Sequence, residues 1–300
     1  GSYKAIKELV SIMQPDGPNL LDATTYVRYM PQSAAVNISL FFSLKGRLVT
    51  TDVACAAGSL AIGSAYELIA AGKQTVMLAA GSDELSPFNT AIFDTLFATS
   101  LKNDTPKATP APFDKNRDGL VIGEGAGCFV LEEYEHAKAR GAEILAEIVG
   151  FAQNCDGRHI TQPNRIMMEA VMRKAVADAG LQPEQIGYVD AHGTATDVGD
   201  VEETNAVYSF FKRPVPISSQ KSYTGHTLGA CGVLEAFFAI NMMKEKWFAP
   251  NLNLTEIDDR LSDLHYITGD GLHLDTEYVM SNNFAFGGVN TSLIFKRYVP

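Results

Sequence analysis

Nowhere in these 300 residues does an apolar run reach the roughly 18 to 20 residues that a bilayer-crossing helix requires, which excludes a membrane-spanning helix. The opening stretch, GSYKAIKELV, has the pattern of neither a signal peptide nor a transit peptide. Positive charge is scarce as well. Lys and Arg number 24 against 35 Asp and Glu, and the net charge of −11 excludes the basic stripe of a general nucleic-acid surface. Cysteine is sparse: Cys55, Cys128, Cys155 and Cys231 show no CxxC spacing and sit in apolar or Gly/Ala-rich settings. That argues against a zinc site or a disulfide framework and for reduced thiols in a cytoplasm. Long charge runs and low-complexity tracts are missing too. What remains, at 46% hydrophobic residues, is enough for a substantial core and for two domains or two fused halves.

Strand-like and helix-like segments alternate. Residues 47–53 read as a strand and 56–71 as a buried Gly/Ala-rich helix. QTVMLAAG (74–81) is a strand of the continuous apolar kind expected in a sheet covered on both faces. A Pro-rich loop leads to the strand GAGCFVLEE, the helix YEHAKAR and the strand-like AEILAEIVGFA. NRIMMEAVMRKAVADAG is an amphipathic helix closed by Gly180. The strand IGYVDAHG, the helix DVEETNAVYSFFK, the strand VPISS, the helix LGACGVLEAFFAINMMKEK and the strands YVMSNN and NTSLIFKR complete an α/β pattern. One order recurs: strand, loop with a reactive side chain, Gly/Ala-rich helix, first around Cys55 and again around His226. Such an echo arises by chance in α/β chains or from a duplicated half whose two copies face one site.

Cys55 begins the first of these helices. A lone Cys among alanines is commonly a small buried hydrophobe. At a helix N-terminus it also faces unpaired N–H groups, which favour the thiolate and can hold the oxyanion of a bound thioester. His192, in DAHGTATDVGD, and His226, in SSQKSYTGHTLGACG, both stand at strand ends, where α/β sheets collect their active sites. His136, His159, His265 and His273 lack such settings. Lys221, five residues before His226, is either an ordinary surface lysine or a group that polarises the site. GLVIGEGAG neither opens a helix nor carries the Lys-Ser/Thr of a phosphate loop, so it reads as a tight turn. NNFAFGGVN reads as a hairpin with buried rings or as a mobile aromatic gate.

Taken jointly, ACAAGSLAIGSAYELI, PFDKNRDGLVIGEGAG, AHGTATDVGD, KSYTGHTLGACG and SNNFAFGGVN resemble the β-ketoacyl-[acyl-carrier-protein] synthases, decarboxylating condensing enzymes of the synthase I/II type. FDTLFATS, NCDGRHITQP and NNFAFGG look most like the synthases of aryl-polyene clusters. The resemblance implies a thiolase-like layered αβαβα fold of two pseudo-duplicated halves, residues 1–140 carrying the nucleophile and 141–300 carrying both histidines. The N-terminal half is expected to lack the family's first strands, which would leave sheet edge and core exposed. By the same resemblance Cys55 is the nucleophile of a Cys-His-His triad with His192 and His226, and Lys221 lies near the second histidine. Glu203 is the family's acidic helix residue, in a polar network with that lysine. Phe286 supplies a backbone N–H to the oxyanion hole beside that of Cys55, and Phe284 belongs to the same gate. Ala195 and Ala285 depart from the commoner pattern, which has Gly or Ser at the first and Gly at the second.

The implied reaction is a Claisen condensation of malonyl-carrier-protein with an acyl group held on Cys55, giving a 3-oxoacyl thioester with no metal and no other cofactor. The implied partners are an acyl carrier protein, docked through Arg28, Lys45 and Arg47, and either a second copy or a related subunit. Two rivals are a non-catalytic chain-length-factor-like subunit, which usually replaces the nucleophilic Cys, and a thiolase-type acyl-CoA transferase, which uses a different Cys/His arrangement.

Overall fold

A computed structural model of the chain describes residues 2–15 and 21–299. Three short helices come first: α1 (Tyr3–Ser11), α2 (Ala23–Tyr29) and α3 (Ser33–Phe41). A 3-10 turn (Ala54–Ala56) feeds α4 (Ala57–Ala70), followed by β1 (Val76–Asp83), α5 (Pro87–Thr95), β2 (Gly125–Glu132) and α6 (Tyr134–Ala139). Next are β3 (Ala146–Cys155), α7 (Arg165–Asp178), β4 (Ile186–Asp190), α8 (Asp197–Phe211), β5 (Pro216–Ser218) and the single turn α9 (Lys221–Thr224). A second 3-10 turn (Leu228–Ala230) feeds α10 (Cys231–Glu245). The strands β6 (Trp247–Phe248), β7 (His265–Tyr266), β8 (Leu272–His273), β9 (Tyr278–Ala285) and β10 (Val289–Arg297) end the chain.

Local chemistry sets many of these boundaries. Asp22 and Thr25 form a capping box at α2, and Ser86 caps α5 with Pro87 at its first position. The Asn164 side chain accepts the Ile166 N–H at the start of α7, and Gly180, at φ 66°, follows its end.

A mixed six-stranded sheet runs β3-β10-β9-β4-β5-β7; β4 lies parallel to β9 and β5, while β10 is antiparallel to β3 and β9. Its one face is covered by α7 and α8 over a core that includes Met168, Val171, Met172, Val207 and Ile217. Its other face packs on α4 and α10, whose far side carries the antiparallel pair β1–β2. Among the described residues the layers therefore run helix, sheet, helix, sheet, four of the five in the αβαβα order that the resemblance implies. The outer face of β1–β2 is uncovered among the described residues, with Val130 62% exposed. QTVMLAAG thus forms a strand covered on one face, not two. Residues 47–53 differ more: they form no strand, because no strand among the described residues offers them a ladder.

The two Gly/Ala-rich helices meet in a reciprocal way that positions the site. Each follows a 3-10 turn whose first residue, Ala54 or Leu228, sits in the left-handed region at φ 49°. Four residues on, each has a glycine at the crossing. A Cβ on Gly58 would lie 2.9 Å from the Val233 nitrogen, and one on Gly232 only 2.5 Å from the Ser59 nitrogen. Backbones this close bring the Cys55 turn and the His226 loop together.

Candidate active site

Beside this crossing, Cys55, Ala56, Leu228, Cys231 and Ala285 form a small buried cluster. Cys55 is 4% exposed, and a cavity of about 270 Å³ reaches it. The cavity wall includes His192, His226, Phe284, Phe286, Phe93 and Thr194. His192 arrives from the end of β4, and His226 from the loop between β5 and α10. The His226 loop is pinned to residues 121–123: its N–H donates to the Val121 carbonyl at 2.7 Å, and its carbonyl accepts the Gly123 N–H at 3.0 Å. The Cys55 sulfur lies 3.1 Å from His226 Nε2, and the two imidazole centroids are 5.3 Å apart. Three groups far apart in sequence thus share one buried point.

Hydrogen bonding assigns the tautomers. The Lys221 ammonium, which can only donate, lies 3.2 Å from His192 Nδ1, and the Leu228 N–H donates to His226 Nδ1 at 3.3 Å. Each ring therefore carries its proton on Nε2. Burial, then the Lys221 charge, holds both histidines well below their ordinary pKa, so both are neutral donors at pH 7. One sulfur and two ring nitrogens within 4.8 Å of one another also match the ligand count of a metal centre. Rings protonated on Nε2 beside a buried ammonium fit that use poorly and fit an anion well.

Burial pushes the Cys55 thiol up to about 11, against the Lys221 charge and the N–H groups of Phe286 and Cys55, which favour the thiolate. The helix-end argument from sequence thus names real donors, but desolvation outweighs them in the free protein. Two N–H groups at one sulfur are also an arrangement that can receive an oxyanion. Phe286 stacks near Phe93 at 5.5 Å between centroids, and Phe284 lies 6.2 Å from the His192 ring. Ala285 lies at the end of extended β9, where no positive φ calls for glycine.

Lys221 is no surface lysine: its side chain is 1% exposed and its Nζ lies 2.5 Å from Glu235 Oε1. Burial opposes its charge, but Glu235 outweighs burial and the ammonium's pKa stands above the ordinary value. The acidic partner is therefore Glu235 on α10, which corrects the expectation for Glu203. The Glu203 oxygens are already occupied, accepting the His192 N–H at 2.8 Å and the Gly193 N–H at 2.7 Å. Burial raises Glu203 to about 7 and Asp200 to about 6. Asp200 accepts the Ala195 N–H at 3.1 Å and so holds Ala195 at φ 63°, a conformation that strains any residue with a Cβ.

Sequence reasoning missed Glu235, Asn283 and Cys231. Asn283 Nδ2 donates to Glu235 Oε2 at 2.7 Å. The available signals were a lone acid inside the apolar run GVLEAFFAINMM and a pair of Asn ending the strand YVMSNN. The three cations expected at a docking surface lie outside the cavity wall. The Arg28 guanidinium pairs with Glu8 at 2.9 Å and Asp22 at 3.6 Å, whereas Lys45 and Arg47 are exposed.

Asp190, at the end of β4, is buried and neither of its carboxylate oxygens has a hydrogen-bond partner. Burial, then Glu235, holds its pKa well above the ordinary 3.8. A carboxyl raised in this way contributes stability that is complete below the unfolded value and lost as pH rises through the folded one. Asp190→Asn is therefore expected to leave unfolding free energy unchanged near pH 3.5 and to raise it at pH 8 by about 1–3 kcal/mol. Denaturant unfolding at the two pH values checks this, and an equal gain at both would refute it.

Two family descriptions match the chain. Residues 3–137 match "Beta-ketoacyl synthase, N-terminal domain", and residues 145–255 match "Beta-ketoacyl synthase, C-terminal domain". The 3-oxoacyl-[acyl-carrier-protein] synthase 2 of Vibrio harveyi is 41% identical over 99% of this chain and 73% of its own length. The crystal structure of a beta-ketoacyl synthase from Burkholderia phymatum STM815 superposes with a TM-score of 0.98 at 57% identity, covering 100% of this chain and 73% of that one. A ketosynthase (ApeO) in complex with its chain length factor (ApeC), from Xenorhabdus doucetiae, gives 0.85 at 27% identity over 98% and 71%.

Proposed function

The chain belongs to the β-ketoacyl synthase family, and from that premise we propose that it catalyses decarboxylating Claisen condensation with Cys55 as nucleophile and His192 and His226 as paired donors. The observation that carries this reading is the meeting of one buried sulfur and two Nε2–H imidazoles at a cavity wall. The name of the Vibrio harveyi relative points to acyl carrier protein as the carrier of both substrates.

In the first step the Cys55 sulfur attacks the carbonyl of an acyl thioester. The N–H groups of Cys55 and Phe286 receive the oxyanion, the acyl–sulfur bond of the carrier breaks, and the thiol proton of Cys55 ends on the departing carrier thiol. In the second, a malonyl thioester places its carbonyl oxygen against the Nε2–H groups of His192 and His226. The bond to its carboxylate breaks, carbon dioxide leaves, and the bonding pair becomes an enolate held by the two donors. Neutral imidazoles suit this task because they stabilise the enolate without protonating its carbon. In the third, that carbon attacks the acyl-Cys55 carbonyl, whose oxyanion returns to the same cradle. Collapse expels the Cys55 thiolate, which regains a proton from water, and the product leaves as a 3-oxoacyl thioester.

Residues 1–140 are assigned to the half that carries the nucleophile and 141–300 to the half that carries both histidines. Lys45 and Arg47 are exposed cations available to an acidic carrier. Among the described residues no helix is long and apolar enough to cross a membrane. We place the enzyme in the cytoplasm, where its four free cysteines stay reduced. The ApeO–ApeC complex favours a related subunit as one possible partner, with a second copy as the other. A subunit of the non-catalytic kind would have no use for a complete Cys-His-His set. Incubation with a panel of acyl-carrier-proteins followed by intact mass is expected to show acyl transfer to the Cys55 peptide. Acylation elsewhere, or none with any acyl group, would overturn the reading.

A further inference from the structure

Among the buried, hydrogen-bonded groups that the reaction above does not use is a second cysteine. Cys231, the first residue of α10, is 2% exposed, and its thiol donates to the Cys55 carbonyl at 3.1 Å. Its sulfur in turn accepts from Asn283 Nδ2 at 3.6 Å, the same amide nitrogen that donates to Glu235. Glu235 holds Lys221, and Lys221 sets the His192 tautomer. An unbroken chain of polar contacts thus joins the main chain of the nucleophile to the ring that faces the substrate.

Two features separate this contact from ordinary packing. First, the Cys55 turn is strained: Ala54 stands at φ 49°, a left-handed conformation that a residue with a Cβ leaves when nothing holds it. The Cys231 donor ties the next residue's carbonyl in place. Second, the reciprocal helix crossing supplies an internal control. Aligning the two 3-10 turns puts Cys231 opposite Ala57, the first residue of α4. A plain methyl suffices at Ala57, so helix contact alone does not call for sulfur at 231. Burial also pushes the Cys231 thiol well above its ordinary pKa, so it remains a donor through the working pH range.

We propose that Cys231 is a positioning residue for the nucleophile: its thiol, bonded to the Cys55 carbonyl, fixes the turn that aims the Cys55 sulfur at His226 and the Cys55 N–H into the oxyanion cradle. The proposal rests on Cys55 being the nucleophile, and its test is chosen so that the two fail separately. Iodoacetamide alkylation of Cys55, followed by peptide mass as a function of pH, needs no substrate and reads the turn directly. In Cys231→Ala the alkylation profile is expected to move to higher pH. kcat should fall about five- to tenfold, the loss that removal of one neutral hydrogen bond brings, with KM unchanged. Cys231→Ser, which keeps a donor, is expected to return the profile to its original position and kcat to within about twofold. An Ala variant that matches the parent in both readouts overturns the proposal. So does a Ser variant as impaired as Ala, since that outcome assigns the effect to shape. Should Cys231→Ala fail to fold, Cys231→Ser decides alone: a displaced profile overturns the proposal and a retained one supports it. Condensation that survives in Cys55→Ala would instead remove the premise, whatever the Cys231 series shows.

Discussion

Cys55→Ala is expected to lose condensation by on the order of 10⁶-fold, the scale on which deletion of the nucleophile acts in other covalent enzymes. Among the described residues no other thiol is placed to replace it. Among the described cysteines, Cys128 and Cys155 are exposed and absent from the cavity wall, and the Cys231 thiol is engaged by the Cys55 carbonyl. The substitution is small and buried, and the surroundings are already alanine, so the fold should persist. The variant should still release carbon dioxide from malonyl-carrier-protein, because the two Nε2–H donors do not depend on the sulfur. A radiolabelled malonyl assay that scores carbon dioxide and 3-oxoacyl product separately checks both halves. Retained condensation would remove Cys55 from the mechanism, and loss of both activities in a folded variant would contradict the division of labour between sulfur and histidines.

The second large effect is on stability. Glu235→Leu leaves the Lys221 ammonium, 1% exposed, without its carboxylate and is expected to cost about 3–5 kcal/mol of unfolding free energy. Water cannot reach the charge, and Asp190 and Glu203, its other acidic neighbours, are themselves held toward their neutral forms by burial. The double variant Lys221→Met/Glu235→Leu removes both charges and should recover most of the loss, since an apolar pair of similar volume carries no desolvation penalty. Denaturant unfolding of the two variants and the parent gives the comparison. A Glu235→Leu variant as stable as the parent would mean that Lys221 finds another partner, and the assignment of the His192 tautomer would fail with it. Restored stability should not restore activity, because His192 then loses its charged donor on Nδ1 and keeps only the Asn283 amide at 3.5 Å.

Much of this was legible along the chain, and for identifiable reasons. Cys55, His192 and His226 were readable because each stands at the junction of a strand or turn with a Gly/Ala-rich segment. Helix ends at Asn164 and Gly180 were readable from capping chemistry, which acts within a few residues. The strand expected over residues 47–53 failed for the opposite reason, since a strand exists only with a neighbour to bond. Glu203 was placed in a network with Lys221 by the family resemblance. The structure shows its carboxylate turned to two backbone N–H groups, with Glu235 taking the lysine.

By itself the sequence determined which side chains could do chemistry and where the backbone turns, because both depend on residue type and on neighbours close in the chain. Only the tertiary structure decided which acid neutralises Lys221, which ring nitrogens carry protons, and that burial raises the Cys55 thiol. Those are properties of distance and desolvation between residues far apart in the chain, as Cys55 and His226 are at 171 positions.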